Sequence, residues 1–205
     1  MINARLRRGW DRLMGPVGRA LARSGLSPNV VTAFGILVQA LVAWLVVEGR
    51  ILVAGLAAIV AAIADALDGA LARAQGTQSR FGALLDSTTD RLADALVFGS
   101  IAWLYGISPD TPARDEPWVA LVALVTLVAS FLVSYVKARA EALGFECNVG
   151  IAERAERLIL VIAGLVFDQI PVMLAVLGAL SIGTFVQRLL YARRQAVRAP
   201  ADRAA

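Results

Sequence analysis

The sequence predicts an all-α integral membrane protein: six transmembrane helices plus an N-terminal amphipathic juxtamembrane helix. Three observations lead there. Hydrophobic residues fill 59% of the 205 positions and charged residues only 18%, with a mean hydropathy of +0.70. A soluble domain carries about 25% charge, so too little polarity is present to clothe a water-facing surface. Apolar stretches of span length recur along the chain, and six of about 20 residues would use about 120. The stretches between them are short, which makes successive helices antiparallel.

The composition also limits the chemistry. Without histidine there is no imidazole base, no Ser-His-Asp triad and no His-ligated zinc, and the single Cys147 excludes internal disulfides and thiolate metal cages. Catalysis must rest on carboxylates, on Arg and Lys, or on a metal with oxygen ligands. The net charge of +4 arises from 19 Arg and one Lys against 16 acids. With no separate basic domain, that balance suits a membrane surface or a phosphate-bearing ligand, and no nucleic acid partner is expected.

Residues 1–25 lack the continuous apolar core and cleavage pattern of a signal peptide. Ile2, Leu6, Trp10, Leu13, Val17 and Leu21 recur at helical spacing among Arg5, Arg7, Arg8, Arg12, Arg19 and Arg23. This pattern predicts an amphipathic helix on an anionic membrane face, with packing on the protein itself as the alternative. After Ser27-Pro28-Asn29 the chain turns apolar. Spans are expected at 29–48, 51–74, 81–105, 117–140, 151–168 and 170–192. Residues 26–195 therefore read as one six-span domain and 196–205 as a polar tail.

Orientation follows from the basic residues. Arg73, Arg80, Lys137, Arg139, Arg154, Arg157, Arg188 and both arginine-rich ends fall on one side, and Arg50 and Arg114 on the other. The positive-inside bias places the protein in the cell membrane with both termini and the charged ends of the spans in the cytoplasm.

Charge interrupts the second and third spans in a pattern. Asp65, Asp68, Gly69 and Ala72 fall on one arc of a helix at about 100° per residue, and Gly82, Asp86 and Asp90 do the same on the next. As antiparallel neighbours, the second and third spans are expected to place these stripes face to face near the cytoplasmic side. An ionised acid at mid-bilayer costs about 2.5–3.5 kcal/mol. Facing carboxylates make an oxygen-ligand site for divalent cations, which would offset that cost. The plainer reading is a salt-bridge cluster with Arg73, Arg80 and Arg91, whose three charges do not balance five acids.

The run Asp65-x2-Asp68-Gly69-x2-Ala72-Arg73-x8-Gly82-x3-Asp86-x3-Asp90 resembles the full signature of the CDP-alcohol phosphotransferases, with no departure at a fixed position. The resemblance extends to a six-span fold with an N-terminal cytoplasmic helix and implies a homodimer. It implies that Asp65, Asp68 and Asp86 bind a pair of Mg2+ ions, for which Mn2+ can substitute, and that Asp90 touches a metal and is the general base. Gly69 and Arg73 would contact the cytidine diphosphate of a CDP-diacylglycerol donor. Ser79 and the segment Asn29-Val30-Val31-Thr32 would complete that pocket.

The acceptor is read from the region joining the fourth and fifth spans. Ser134-Tyr135-Val136-Lys137-Ala138-Arg139-Ala140-Glu141, followed by Glu153-Arg154-Ala155-Glu156-Arg157, is similar to the phosphatidylinositol phosphate synthases of actinobacterial type. That resemblance implies that Ser134, Lys137, Arg154 and Arg157, assisted by Arg188, bind the phosphate of inositol phosphate. Two positions depart from it: Asn29 stands where some of these synthases have Asp, and Ala155 where some have Pro. A phosphatidylglycerophosphate synthase using glycerol 3-phosphate is the alternative with the same donor. A divalent-cation transporter would account for the aspartates but not for Arg73 or the second basic cluster. Asp94, one turn beyond Asp90, lies outside the signature and has no assigned role.

Overall fold

The structure, a computed structural model, describes residues 16–23, 25, 27–77, 79–107, 116–151 and 154–198. All regular structure among these residues is helical. Residues 16–23 form α1. They are followed by α2 (Pro28–Val47), α3 (Ile51–Gln75), α4 (Arg80–Gly106), α5 (Pro117–Ala142), α6 (Arg154–Val166) and α7 (Ile170–Arg198).

Local chemistry sets several of these boundaries. Ser27 caps α2, its hydroxyl accepting the Val30 N–H at 3.4 Å, while Pro28 occupies the first turn, where a missing N–H is not needed. Gly76 ends α3 in the left-handed conformation, with φ of 65°, and its N–H closes back on the last turn. Ser79 then caps α4 by accepting the Gly82 N–H at 2.9 Å.

Four helical stretches are long and apolar enough to cross a membrane: Val30–Val47, Ile51–Gln75, Pro117–Ala142 and Ile170–Val197. This is a membrane protein, and Leu37, Leu56, Leu121 and Leu124 are exposed on its outer surface, where lipid replaces water. The helices fall in the expected order, yet two of the six expected spans do not meet the same measure. Asp90, Arg91 and Asp94 interrupt α4, and α6 has only 13 residues. At 1.5 Å per residue α6 is about 20 Å long, short of a hydrocarbon core of about 30 Å. Ile151, expected in this span, stands in a bend before it, and α7 runs on to Arg198, past the expected end near 192.

Most of the expected amphipathic N-terminal helix, residues 1–15, lies outside the described residues. Its end, α1, packs on the protein. Gly18 is buried so closely against α3 that a β-carbon there would stand 2.8 Å from the Ala70 carbonyl oxygen.

Helix α2 packs against α3 and α4, α5 against α4 and α7, and α6 against α3 and α7. Helices α3 and α4 are not a closely packed pair, which corrects the expectation of direct antiparallel neighbours. The physical reason is charge: direct contact would press two rows of carboxylates together, and a cleft with α2 along one side lets them approach only at their tips. The apolar core lies toward the opposite end of the bundle. There the end of α2 (Val42, Val46), the start of α3 (Ile51, Ala54) and the second half of α4 (Phe98, Ile101) meet the start of α7 (Ile170, Leu174). Of the small residues of α3, Ala57 packs on this core, and Ala61 and Ala62 line the cleft.

Helix α6 is held by glycine contacts. A β-carbon on Gly55 would stand 2.7 Å from Val166 Cγ2 and 2.8 Å from its backbone nitrogen, and one on Gly164 would stand 2.5 Å from Met173 Cβ. Gly55→Ala should therefore cost about 1–3 kcal/mol through overpacking, read as a lower unfolding midpoint in detergent. Gly99→Ala is the control, since a β-carbon at Gly99 meets nothing within 4 Å. There the better helix former should leave stability unchanged or raise it by up to about 1 kcal/mol.

Candidate active site

The cleft between α3 and α4 is lined by Thr32, Gly35 and Gln39 of α2, Asp65 of α3, Asp90 of α4 and Arg154 of α6, among others. Asp65, Asp86 and Asp90 present carboxylate oxygens that all lie within 4.8 Å of one another. Helical spacing accounts for the placement: Asp86 and Asp90 are one turn apart on α4, and Asp65 reaches across from α3. Asp90 is the most enclosed, its side chain 10% exposed against 58% for Asp86. Asp68 stands apart from the trio and accepts a hydrogen bond from the Thr32 hydroxyl at 2.8 Å. That bond joins two expected site residues from different helices.

The positive charge among these acids comes from α6. Arg154 lies 2.8 Å from Asp65 and 4.0 Å from Asp86, and it also pairs with Asp90. Arg91 approaches Asp90 from the same helix at 3.5 Å. Two guanidinium groups beside three carboxylates still leave net negative charge, and the oxygens converge from two helices. Such a donor set fits hard divalent cations, which take carboxylate oxygens.

The remaining expected residues divide. Gly69 leaves room for Arg73, whose Nη1 would stand 3.4 Å from a β-carbon there. Val30 is exposed and Val31 half-buried in the first turns of α2; the Asn29 side chain lies outside the described residues. Ser79, expected near the nucleotide, caps α4. Of the expected acceptor residues, Arg154 lines the cleft. Ser134 bonds back to the Ser130 carbonyl at 3.2 Å and Lys137 pairs with Glu141 at 3.8 Å, both within α5. Arg188 is buried and donates to the Val149 and Val133 carbonyls, each at 2.8 Å. It fastens the α5–α6 connection to α7. Thr184 helps, accepting the Ile151 N–H at 3.3 Å, and Gln195 exchanges two hydrogen bonds with the Glu146 backbone.

Arg157 belongs to a network that sequence reasoning did not find. It donates to the Ser130 hydroxyl and lies 3.8 Å from Asp94, while Ser130 donates to Asp94 at 2.6 Å. Three helices are thereby tied together: α4 through Asp94, α5 through Ser130 and α6 through Arg157. Asp94 is one turn from Asp90 and Arg157 one turn from Arg154, so the two acid–arginine pairs repeat in register. The unassigned acid one turn past the signature was the available signal. Ser130, in an apolar run, gave none.

The chain belongs to the CDP-alcohol phosphatidyltransferase family, whose pattern matches residues 26–187. It is a transferase of that family, with the metal-dependent chemistry the family shares. Within it, the chain is similar to the phosphatidylinositol phosphate synthase of Mycobacteroides abscessus, 38% identical over 191 residues that cover 89% of this chain and 84% of that one. It is as similar to the archaetidylinositol phosphate synthase of Pyrococcus horikoshii, 38% identical over 180 residues covering 87% and 90% of the two chains. The crystal structure of Mycobacterium tuberculosis phosphatidylinositol phosphate synthase with CDP-DAG bound superposes with a TM-score of 0.77 at 36% identity, covering 88% of this chain and 94% of that one. The same enzyme in complex with manganese and citrate gives a TM-score of 0.76 at 34% identity, covering 88% of each chain.

Asp94→Ala should leave the half-buried Arg157 without its carboxylate and Ser130 without an acceptor. A lost partner of this kind costs about 1–3 kcal/mol. The expected outcome is a lower unfolding midpoint in detergent with helical circular dichroism retained below it. An unchanged midpoint would show that the network carries no stability.

Proposed function

We propose that this protein transfers the phosphatidyl group of CDP-diacylglycerol to inositol phosphate, giving phosphatidylinositol phosphate and CMP. The observation that carries the reading is the convergence of Asp65, Asp86 and Asp90 from α3 and α4 at a cleft that also receives Arg154. The acceptor is supported by the relatives at 36–38% identity named for inositol phosphate products. The donor is supported by the CDP-DAG complex of the similar mycobacterial enzyme.

Asp65, Asp68, Asp86 and Asp90 would hold the divalent cations, Mg2+ with Mn2+ as an acceptable substitute. When bound, such ions offset the charge of the pyrophosphate and of the departing CMP. The residues of the chain do the rest. Arg73, folded beside Gly69, makes charge-assisted contacts with the donor phosphates, and the Thr32 segment flanks the nucleotide. Asp90, the most enclosed of the trio, accepts the proton of the attacking inositol hydroxyl. That oxygen forms its bond to the phosphatidyl phosphorus as the bond to the CMP oxygen breaks. Arg154, Arg157, Lys137 and Ser134 hold the acceptor phosphate, with Arg188 supporting the connection that carries the first two.

The bundle is read as six spans, with α4 and α6 completing the crossing beside four apolar helices and the charged ends facing the cytoplasm. The homodimer is carried from the family resemblance.

Two experiments test this reading. Asp90→Asn should lose CMP release by two orders of magnitude or more while keeping donor affinity, since general-base catalysis contributes about 10²–10⁴-fold; wild-type turnover would remove Asp90 from that role. Arg157→Ala should raise the apparent KM for inositol phosphate about 10- to 150-fold by loss of one charge-assisted contact. Donor KM should stay within a few-fold. Identification of the lipid product from inositol phosphate, free inositol and glycerol 3-phosphate decides the acceptor. Preference for glycerol 3-phosphate would overturn the acceptor and leave the family chemistry standing.

A further inference from the structure

Arg154 and Arg157 are one turn apart on α6 and are expected to meet the same phosphate, yet they are held in opposite ways. Arg157 is enclosed, its side chain 13% exposed, and fastened to Asp94 and to the buried Ser130 hydroxyl. Arg154 is 42% exposed, and among the described residues its ion pairs are with Asp65, Asp86 and Asp90. These are the same carboxylates whose oxygens lie within 4.8 Å of one another. A guanidinium and a divalent cation cannot both take those oxygens at contact distance, and like charges repel at such range. The backbone need not follow the side chain. Arg157 pins α6 to α4 and α5, while Arg188 and Gln195 hold the preceding connection to α7.

We propose that Arg154 is a displaceable counter-cation: divalent cations compete with it for Asp65, Asp86 and Asp90, and the guanidinium they release turns to the acceptor phosphate. Metal and acceptor then bind with positive coupling, and the coupling is reciprocal. The proposal rests on the reading that these aspartates hold metal and that Arg154 meets the acceptor.

The test uses the full chain in detergent, washed with chelator and titrated with Mn2+ followed by electron paramagnetic resonance, without lipid or acceptor. Arg154→Gln should bind Mn2+ on the order of tenfold more tightly than wild type, the scale of a close charge pair. Arg50→Gln, exposed at the opposite end of α3, should not change Mn2+ affinity. The Arg154→Gln protein should also melt lower than wild type before Mn2+ is added and level with it at saturation. Equal or weaker Mn2+ binding by Arg154→Gln overturns the proposal while the metal reading stands. Absence of Mn2+ binding in wild type overturns both. If Arg154→Gln does not fold, Arg154→Lys is measured instead and should gain affinity in the same direction, because a lysine loses the forked geometry. In a second arm, calorimetric titration with inositol phosphate should show wild-type affinity rising about tenfold when Mn2+ is present. Wild-type affinity for inositol phosphate that ignores Mn2+ would overturn the coupling.

Discussion

Like charges brought together at the edge of an apolar bundle are the constraint around which this structure is arranged. Asp65, Asp86 and Asp90 come from two helices that are consecutive in sequence, yet those helices do not pack closely on each other. Helix α2 lies against both, so the acids meet across a cleft instead of inside a packed seam. The apolar residues that would otherwise fill that seam are gathered at the other end of the bundle, where α2, α3, α4 and α7 form the core. A rigid apolar end and an open charged end follow from one requirement. Acids in a low-dielectric medium must have either a cation or access to water.

The cation is delivered by a short helix, α6. Helix α6 has 13 residues and would be poorly placed by its own hydrophobicity. Its position is set at both ends by contacts that tolerate little change. At one end Gly55 lets the Leu165–Val166 backbone approach α3, and Gly164 makes room for the Met173 side chain. At the other, Arg188, Thr184 and Gln195 of α7 satisfy the backbone of the connection that precedes it. Buried backbone groups need partners, and here three side chains of one helix supply them. Arg188 therefore bears on the cleft through the connection that precedes Arg154 and Arg157.

The Asp94–Ser130–Arg157 network adds a fixed point beside the three aspartates. Arg157 donates to a hydroxyl that in turn donates to a carboxylate, so each group in the chain is used in a consistent direction. Among the described residues Arg154 pairs with Asp65, Asp86 and Asp90. Two arginines at helical spacing thus differ in exposure and in partners because of what stands opposite them, not because of their own sequence context.

Helix order, the family and the candidate aspartates were legible in the sequence, while Ser79, read there as a nucleotide contact, caps α4. What was legible depends on local spacing: apolar runs of span length and an acid every third or fourth position on an apolar helix. What the linear pattern could not provide was which helices touch. The sequence suggested α3 and α4 as direct neighbours; the tertiary structure put α2 beside both, assigned Asp68 to Thr32 and Asp94 to Ser130 and Arg157, and gave Arg188 to two backbone carbonyls. Each of those partners lies at least 27 residues away along the chain. Periodicity tells which face of a helix is charged, and only the packing of the other helices tells what that face will meet.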